Sequence, residues 1–511
     1  MRRVFVLLIA LSSLLFLFCN NAQPENWKVI SYFLNVTDVD YDLNFVYAAT
    51  SSGIIAVDRF TDEVRTVVSF RKAMTDIPFK NLISDSYSSY NLYFTGRNFI
   101  YHYDWFNDTI YFCKISSIKG EVVKKLGLSQ DSIFAMVGEN VFASLKYPMS
   151  DSGWVFRGSA ENIEWDKDNS DLTKFPQLTP YKKYFNDKEY DYTAYAEVYN
   201  DLFIGTNGAG LLKINKFTKE EKHYKYGTGS LNARAMALDS FGFIWLAGAN
   251  TLNITRYNVL KDEFEYFRTD FYNAIPDNQI IYISASKKNI LFLTEFGQAF
   301  YYSLDDKKFF PIEKEMGTIL FRAFPISEKS FLASNDLGVG MIDIDSREFT
   351  QLSDRLSSVI NVEYFNDTVY AVSQNSLFKA ELGDSIFAKV EFPFPTFIIY
   401  QYMKNDYAEI LLDNAYIHIK LKGEDKFSSY PNNLFGEFYD LAFDGENCFI
   451  ASTEGFGIFP LKTKTWKIYN KRNSPLPSSG FLNVIPFRGF LFLNSQNGLT
   501  RFHYKNPALN D

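Results

Sequence analysis

Histidine and cysteine are scarce here, four of one and three of the other in 511 residues. No Cys/His cluster has zinc spacing. His102, His223, His418 and His503 fall on separate stretches, so no metal or acid–base set is visible. There is no glycine-rich phosphate loop and no Gly-x-Ser-x-Gly elbow. We assign no catalytic residue, cofactor or metal from the sequence. Long apolar runs are also lacking, save one. Arg2 and Arg3 precede an uncharged stretch over residues 4–18. That is about 15 residues, short of the about 20 that span a bilayer. With the small residue Ala22 behind it, the stretch reads as a secretory signal over residues 1–22. Cys19 raises lipidation, but Phe18 stands where a lipoprotein signal has a small residue, and a bare cut near Ala22 fits better. The mature chain then has no spanning helix and belongs outside the cytoplasm, in the periplasm or at the cell surface. Two cysteines remain, Cys113 and Cys448. They read as small buried apolar residues, and a disulfide between them is left open for an oxidising compartment.

Positive charge is in deficit. Without the leader, 50 basic residues face 60 acidic ones, a net charge near −10. An acidic surface argues against nucleic acid or an anionic membrane as partner. Aromatic residues, by contrast, are abundant: 51 Phe, 34 Tyr and 6 Trp. Such side chains favour strands and fill the space between stacked sheets. A few at an exposed mouth could stack on sugar.

What the chain does have is a repeat of about forty residues. Each unit reads strand, turn, apolar strand ending in a small or hydroxyl residue, turn with Gly, strand, turn, strand. FVYAATSSGIIAVDRF, FIGTNGAGLLKINKF and FIASTEGFGIFPL are examples. Taking the residue that ends the second strand as anchor gives Thr50, Thr95, Val137, Thr206, Gly248, Thr294, Ser334, Ser373, Leu412, Ser452 and Ser495. Steps run from 39 to 46 residues, except one of 69 between Val137 and Thr206. A β-type repeat of this period predicts an all-β propeller of about 11 four-stranded blades over residues 23–511. Rings usually hold 4–8 blades, so two rings are expected. A seven-blade ring with a smaller partner and a five-with-six arrangement both fit. The polar, Pro-containing segment 161–185 reads as a long loop or degenerate unit. The chain is expected to cross between rings near 155–190 and again near the C-terminus. The last unit lacks an outer strand, and NWKVISYF at residues 26–33 resembles TWKIYN at 465–470. The N-terminal strand should therefore complete the last blade and remove two open sheet edges.

Asp239-x-x-Gly242, then Ile244-Trp245, then a small residue, a Gly turn and a short strand ending in Asp or Asn resembles the two-component regulator propeller repeat. Thr50 with Gly53 and Asp58, Thr206 with Gly210 and Asn215, and Ser334 with Gly338 and Asp343 carry the same signature. NWKVISYF followed by VYAATSSGIIAVD looks like the N-terminal propeller of PorZ-type proteins of the type IX secretion system. The resemblance implies extracytoplasmic sensor halves or secreted propellers. No kinase, DNA-binding region, second spanning helix or β-sandwich tail follows the repeats, so direct transmembrane signalling is not expected. In a bacterium, which the resemblance implies, the sequons at Asn35, Asn107, Asn253 and Asn366 are turn sequence.

Asp38, Asp40 and Asp42 alternate in DVDYD. The Gly and distal Glu of an EF-hand loop are missing. On an innermost strand, or in the turn after it, they are candidate channel-lining residues, whereas Trp245 reads as core. The expected function is that of a secreted, non-catalytic binding or scaffold module whose ligand is a glycan, peptide or envelope protein. The alternatives are an extracytoplasmic enzyme acting on polysaccharide and a sensor subunit working through a membrane partner. The oligomeric state is not legible.

Overall fold

A computed structural model describes residues 27–505, apart from 69–77, 89, 108, 119–121, 148, 159–162, 167–189, 230–231, 249–252, 269–278, 313–317, 354–355, 357, 374, 397, 433–435 and 475. The signal stretch and Cys19 lie outside the described residues. Among those described, no helix is long and apolar enough to cross a membrane.

The strands form eleven antiparallel sheets, ten of four strands and one of five. We number these blades 1–11 in chain order. The repeat signature has a local cause. The hydroxyl ending the second strand donates to the first carbonyl of the third strand or its turn. Thr50 reaches Gly53 O at 2.9 Å, Thr206 reaches Gly210 O at 2.7 Å and Ser452 reaches Gly455 O at 3.1 Å. The glycine is needed because the outer strand comes close. At Gly53 and Gly455, where φ is +153° and +137°, a Cβ would collide with the carbonyl oxygens of Val68 and Tyr469. The turn before the second strand is closed by an aspartate. Asp239 Oδ1 accepts from the Phe241 and Phe243 amides, and its Oδ2 accepts from the indole of fully buried Trp245 at 2.9 Å. Asp42 does the same for the Asn44 and Phe45 amides and the Tyr47 hydroxyl.

The chain divides into two compact units. Unit one is Met1–Val29, Asn232–Thr251 and Tyr272–Asp511, and unit two is Ile30–Leu231 and Leu252–Phe271. The chain first leaves unit two at Leu231, beyond the 155–190 segment. In unit one, seven inner strands run in a closed circuit. Ala233–Leu238 lies beside Ile280–Ala285, and Leu320–Pro325, Val359–Phe365, Ile399–Lys404, Phe438–Phe443 and Asn483–Phe487 follow, the last again beside Ala233–Leu238. In unit two, Tyr192–Val198, Val36–Tyr41, Lys80–Ser84 and Val123–Leu128 stand side by side as inner strands. Buried side chains fill the gaps between successive sheets, as with Tyr47, Phe79, Phe94 and Tyr101 between blades 1 and 2.

Nine inner strands carry a β-bulge two residues in, for example between Val36 and Asp38, Leu320 and Arg322, and Phe438 and Asp440. A bulge re-aims the residues after it. Here it turns a polar side chain across to the neighbouring blade. Asp38 Oδ2 accepts from the Leu82 amide at 2.7 Å, and Asp440 Oδ2 accepts from the Val484 amide at 3.0 Å. Both bonds span 44 residues, one blade repeat.

Trp27–Ile30 pairs with Gly498–His503 and completes blade 11, as the repeat predicts. Its anchor is Trp27, stacked on Phe502 at 4.0 Å between centroids and set edge-on to Phe456 and Tyr469. Trp27→Ala should cost about 2–4 kcal/mol, below or within the range for a fully buried aromatic. The check is a lower thermal midpoint with faster amide exchange over 498–503, and unchanged exchange would remove the clasp. Asp38→Ala removes the side-chain acceptor of the Leu82 amide on the next blade. It should lower stability by about 1–3 kcal/mol, read from urea unfolding, with Asp38→Asn losing less.

Candidate functional site

The three aspartates singled out in the sequence take different places. Asp38 and Asp40 lie on the inner strand of blade 1, and Asp42 lies in the turn after it. Asp38 is buried and its carboxylate is engaged by the Val39 and Leu82 amides. Asp40 Oδ2 accepts from the Ser84 amide at 2.7 Å and lies 2.9 Å from Ser84 Oγ. Asp40 and Asp42, unlike Asp38, line a cavity of about 330 Å³ at this end of unit two.

The cavity is built where inner strands turn back. Blade 1 contributes Asp40, Tyr41, Asp42, Leu43 and Arg59; blade 2 contributes Ile83 and Ser84 to Ser86; blade 4 contributes Tyr199. The remaining wall comes from Glu164, Trp165 and Asp166. Glu164–Trp165 is a fifth strand added inside blade 3, paired with Leu128 and Gly127. Gly127 makes room for it, because a Cβ there would collide with Ile163 and the Trp165 ring. Ser86 Oγ donates to Glu164 Oε2 at 2.8 Å and ties this strand to blade 2. The 161–185 segment is therefore in part a sheet element, and its residues 167–185 lie outside those described.

Two cations stand near the mouth. Lys146 is buried and donates to both Asp85 oxygens at 2.9 Å. Arg59 Nη1 donates to the Asp42 and Leu43 carbonyls at 2.8 Å, with its guanidinium 4.9 Å from the ring centre of Tyr199, which is 73% exposed. Asp166 is the unusual group. It is 8% exposed, and burial, reinforced by the charges of Asp38 and Asp40, pushes its carboxyl up to about 7. Among the described residues, no set of three or more His, Cys, Asp or Glu is grouped to hold a metal ion.

The other sequence candidates are structural. Cys113 and Cys448 are free and buried, and burial pushes the Cys113 thiol up to about 12. His102 stacks on Tyr93 and Tyr111 and bonds Asn91, and burial lowers it to about 4. His418 bridges Ser429 at 2.7 Å and Asp413 at 3.2 Å, beneath the Phe394 ring. Asp413 also takes the Ala415 and Tyr416 amides, so the group closes a hairpin and ties the third strand of blade 9 to its outer strand. The sequence did not point to Trp165, Asp166 or Arg59. A Glu-Trp-Asp triplet in a polar segment, opposite a glycine in an inner strand, was the one available signal.

No protein-family model matches the chain, and no curated protein matches it. Among solved structures it is similar to PorZ, an essential surface component of the type-IX secretion system of Porphyromonas gingivalis. That similarity has 11% identity and a TM-score of 0.56, over 94% of this chain and 87% of the other. It is also similar to a B. thetaiotaomicron extracellular domain ascribed to the hybrid two-component system BT4673, with 14% identity and a TM-score of 0.46, over 92% of this chain and 75% of that one. At such identity the likeness to PorZ is one of fold.

Proposed function

We propose that this is an extracytoplasmic, non-catalytic propeller that binds a glycan, peptide or envelope protein at the mouth of unit two. The observation that carries the reading is the 330 Å³ cavity itself, in which Tyr41, Trp165 and Tyr199 meet hydroxyl and carboxyl side chains from four blades. Aromatic faces beside polar groups that can fix an orientation are what a polar ligand needs. The cavity is carried on the inner strands of paired antiparallel sheets, and groups already held in place need less ordering on binding. The signal-like leader and the acidic composition support a location outside the cytoplasm.

Arrays of glycans, peptides and envelope proteins, probed with the mature protein, test this reading. The bound ligand should lose at least about tenfold in affinity with Trp165→Ala plus Tyr199→Ala, the size of an interface hot spot. Calorimetry on the hit measures it. Undiminished affinity in the double variant, with folding retained, would move the site elsewhere.

A further inference from the structure

The chemistry of the mouth narrows the ligand, and this step rests on the mouth being the binding site. Five carboxyl groups line it, those of Asp40, Asp42, Asp85, Glu164 and Asp166. Four are engaged by the protein: Asp40 by Ser84, Asp42 by its own turn and Tyr47, Asp85 by Lys146, and Glu164 by Ser86. Asp166 is not held in this way. The residue is 8% exposed. Its one hydrogen bond among the described residues is a long one, from the Leu126 amide to Oδ2 at 3.4 Å, and the residue lines the cavity. A buried carboxyl held by one long hydrogen bond is poorly compensated for the water it has lost. Lys125 offsets the burial of Asp166 only in part, while Lys146 is bonded to Asp85 and Arg59 to the Asp42 and Leu43 carbonyls.

We propose that the mouth of unit two holds a cationic group, an ammonium or guanidinium, against Asp166, with Trp165 and Tyr41 as its aromatic wall. Such a group supplies a second donor and further positive charge together. Aromatic faces add a cation–π attraction. A neutral hydroxyl supplies a donor but leaves the negative charges of the mouth uncompensated.

The titration of Asp166 gives the site a second signature. The groups that set it are Asp38 and Asp40 from blade 1 and Lys125 from its own sheet, and Glu164, Asp85 with Lys146, and Arg59 stand around the same cavity. Because the carboxyl titrates near 7 in the free protein, a cation must displace its proton at lower pH. Affinity should therefore be about tenfold greater at pH 8 than at pH 6, following the ionised fraction.

The test is calorimetry on the mature protein with tri-lysine, tri-arginine and the glucosamine trimer. Their acylated, uncharged forms (or citrulline in place of arginine) are the controls. We expect at least one cationic probe to bind and its neutral form to bind at least tenfold more weakly. Asp166→Asn, checked for an unchanged or raised thermal midpoint, should lose about tenfold in affinity and the pH slope with it. Which probe binds separates a basic peptide from an amino sugar. Neutral forms binding equally well, or Asp166→Asn keeping both affinity and slope, would overturn the proposal. If a neutral glycan binds instead, and Trp165→Ala plus Tyr199→Ala weakens it, the cation is refuted while the binding mouth stands. If no ligand responds to the aromatic pair, the mouth fails too.

Discussion

Each four-stranded sheet here has apolar side chains on both faces, and no such sheet can keep both out of water unaided. The side chains of Tyr47, Phe94 and Tyr101 are buried because the next sheet lies over them. Coverage by neighbours is thus the condition on which every blade depends. Carboxylates that cross from one inner strand to the next hold the sheets at the spacing this burial needs. The Asp38–Leu82 and Asp440–Val484 bonds are the same device used in two units, each after a bulge that turns the carboxylate outward from its own strand.

That device decides what the mouth of unit two can be. Asp38 and Asp40 serve the frame first, and their fixed charges then act on whatever lies beside them. Asp166 meets that field just after a strand for which Gly127 makes room. The site is therefore a by-product of closing the sheets: a negative field set by structural carboxylates, with one further carboxyl placed in it and aromatic rings around it. Unit one adds a cation to the same device, at the bulged position of another inner strand. Its Arg322 donates to the Tyr439 carbonyl and stands 3.8 Å from Asp440, while Glu363 is raised well above the ordinary carboxylate range by burial.

The repeat was legible because its cause is local. Thr50, Thr206 and Ser452 each close a turn three or four residues long, and Asp239 meets Trp245 within one hairpin. The N-terminal strand was legible for a related reason, since Trp27 and Trp466 stand in matching segments at either end of the repeat array. Asp38, Asp40 and Asp42 could be seen as an alternating set, but not their separate duties. Those depend on amides 44 residues away, on another blade.

From the sequence alone come the all-β repeat, the blade number, the completing strand and the acidic, aromatic character, because each is written in periods and turns shorter than one blade. The division into units, the engagement of Asp38, the fifth strand in blade 3 and the meeting of Trp165, Asp166, Arg59 and Tyr199 were decided only by the tertiary structure. These groups come from residues as far apart as 59 and 199. Their approach is fixed by how one sheet packs on the next, and no local pattern carries that distance.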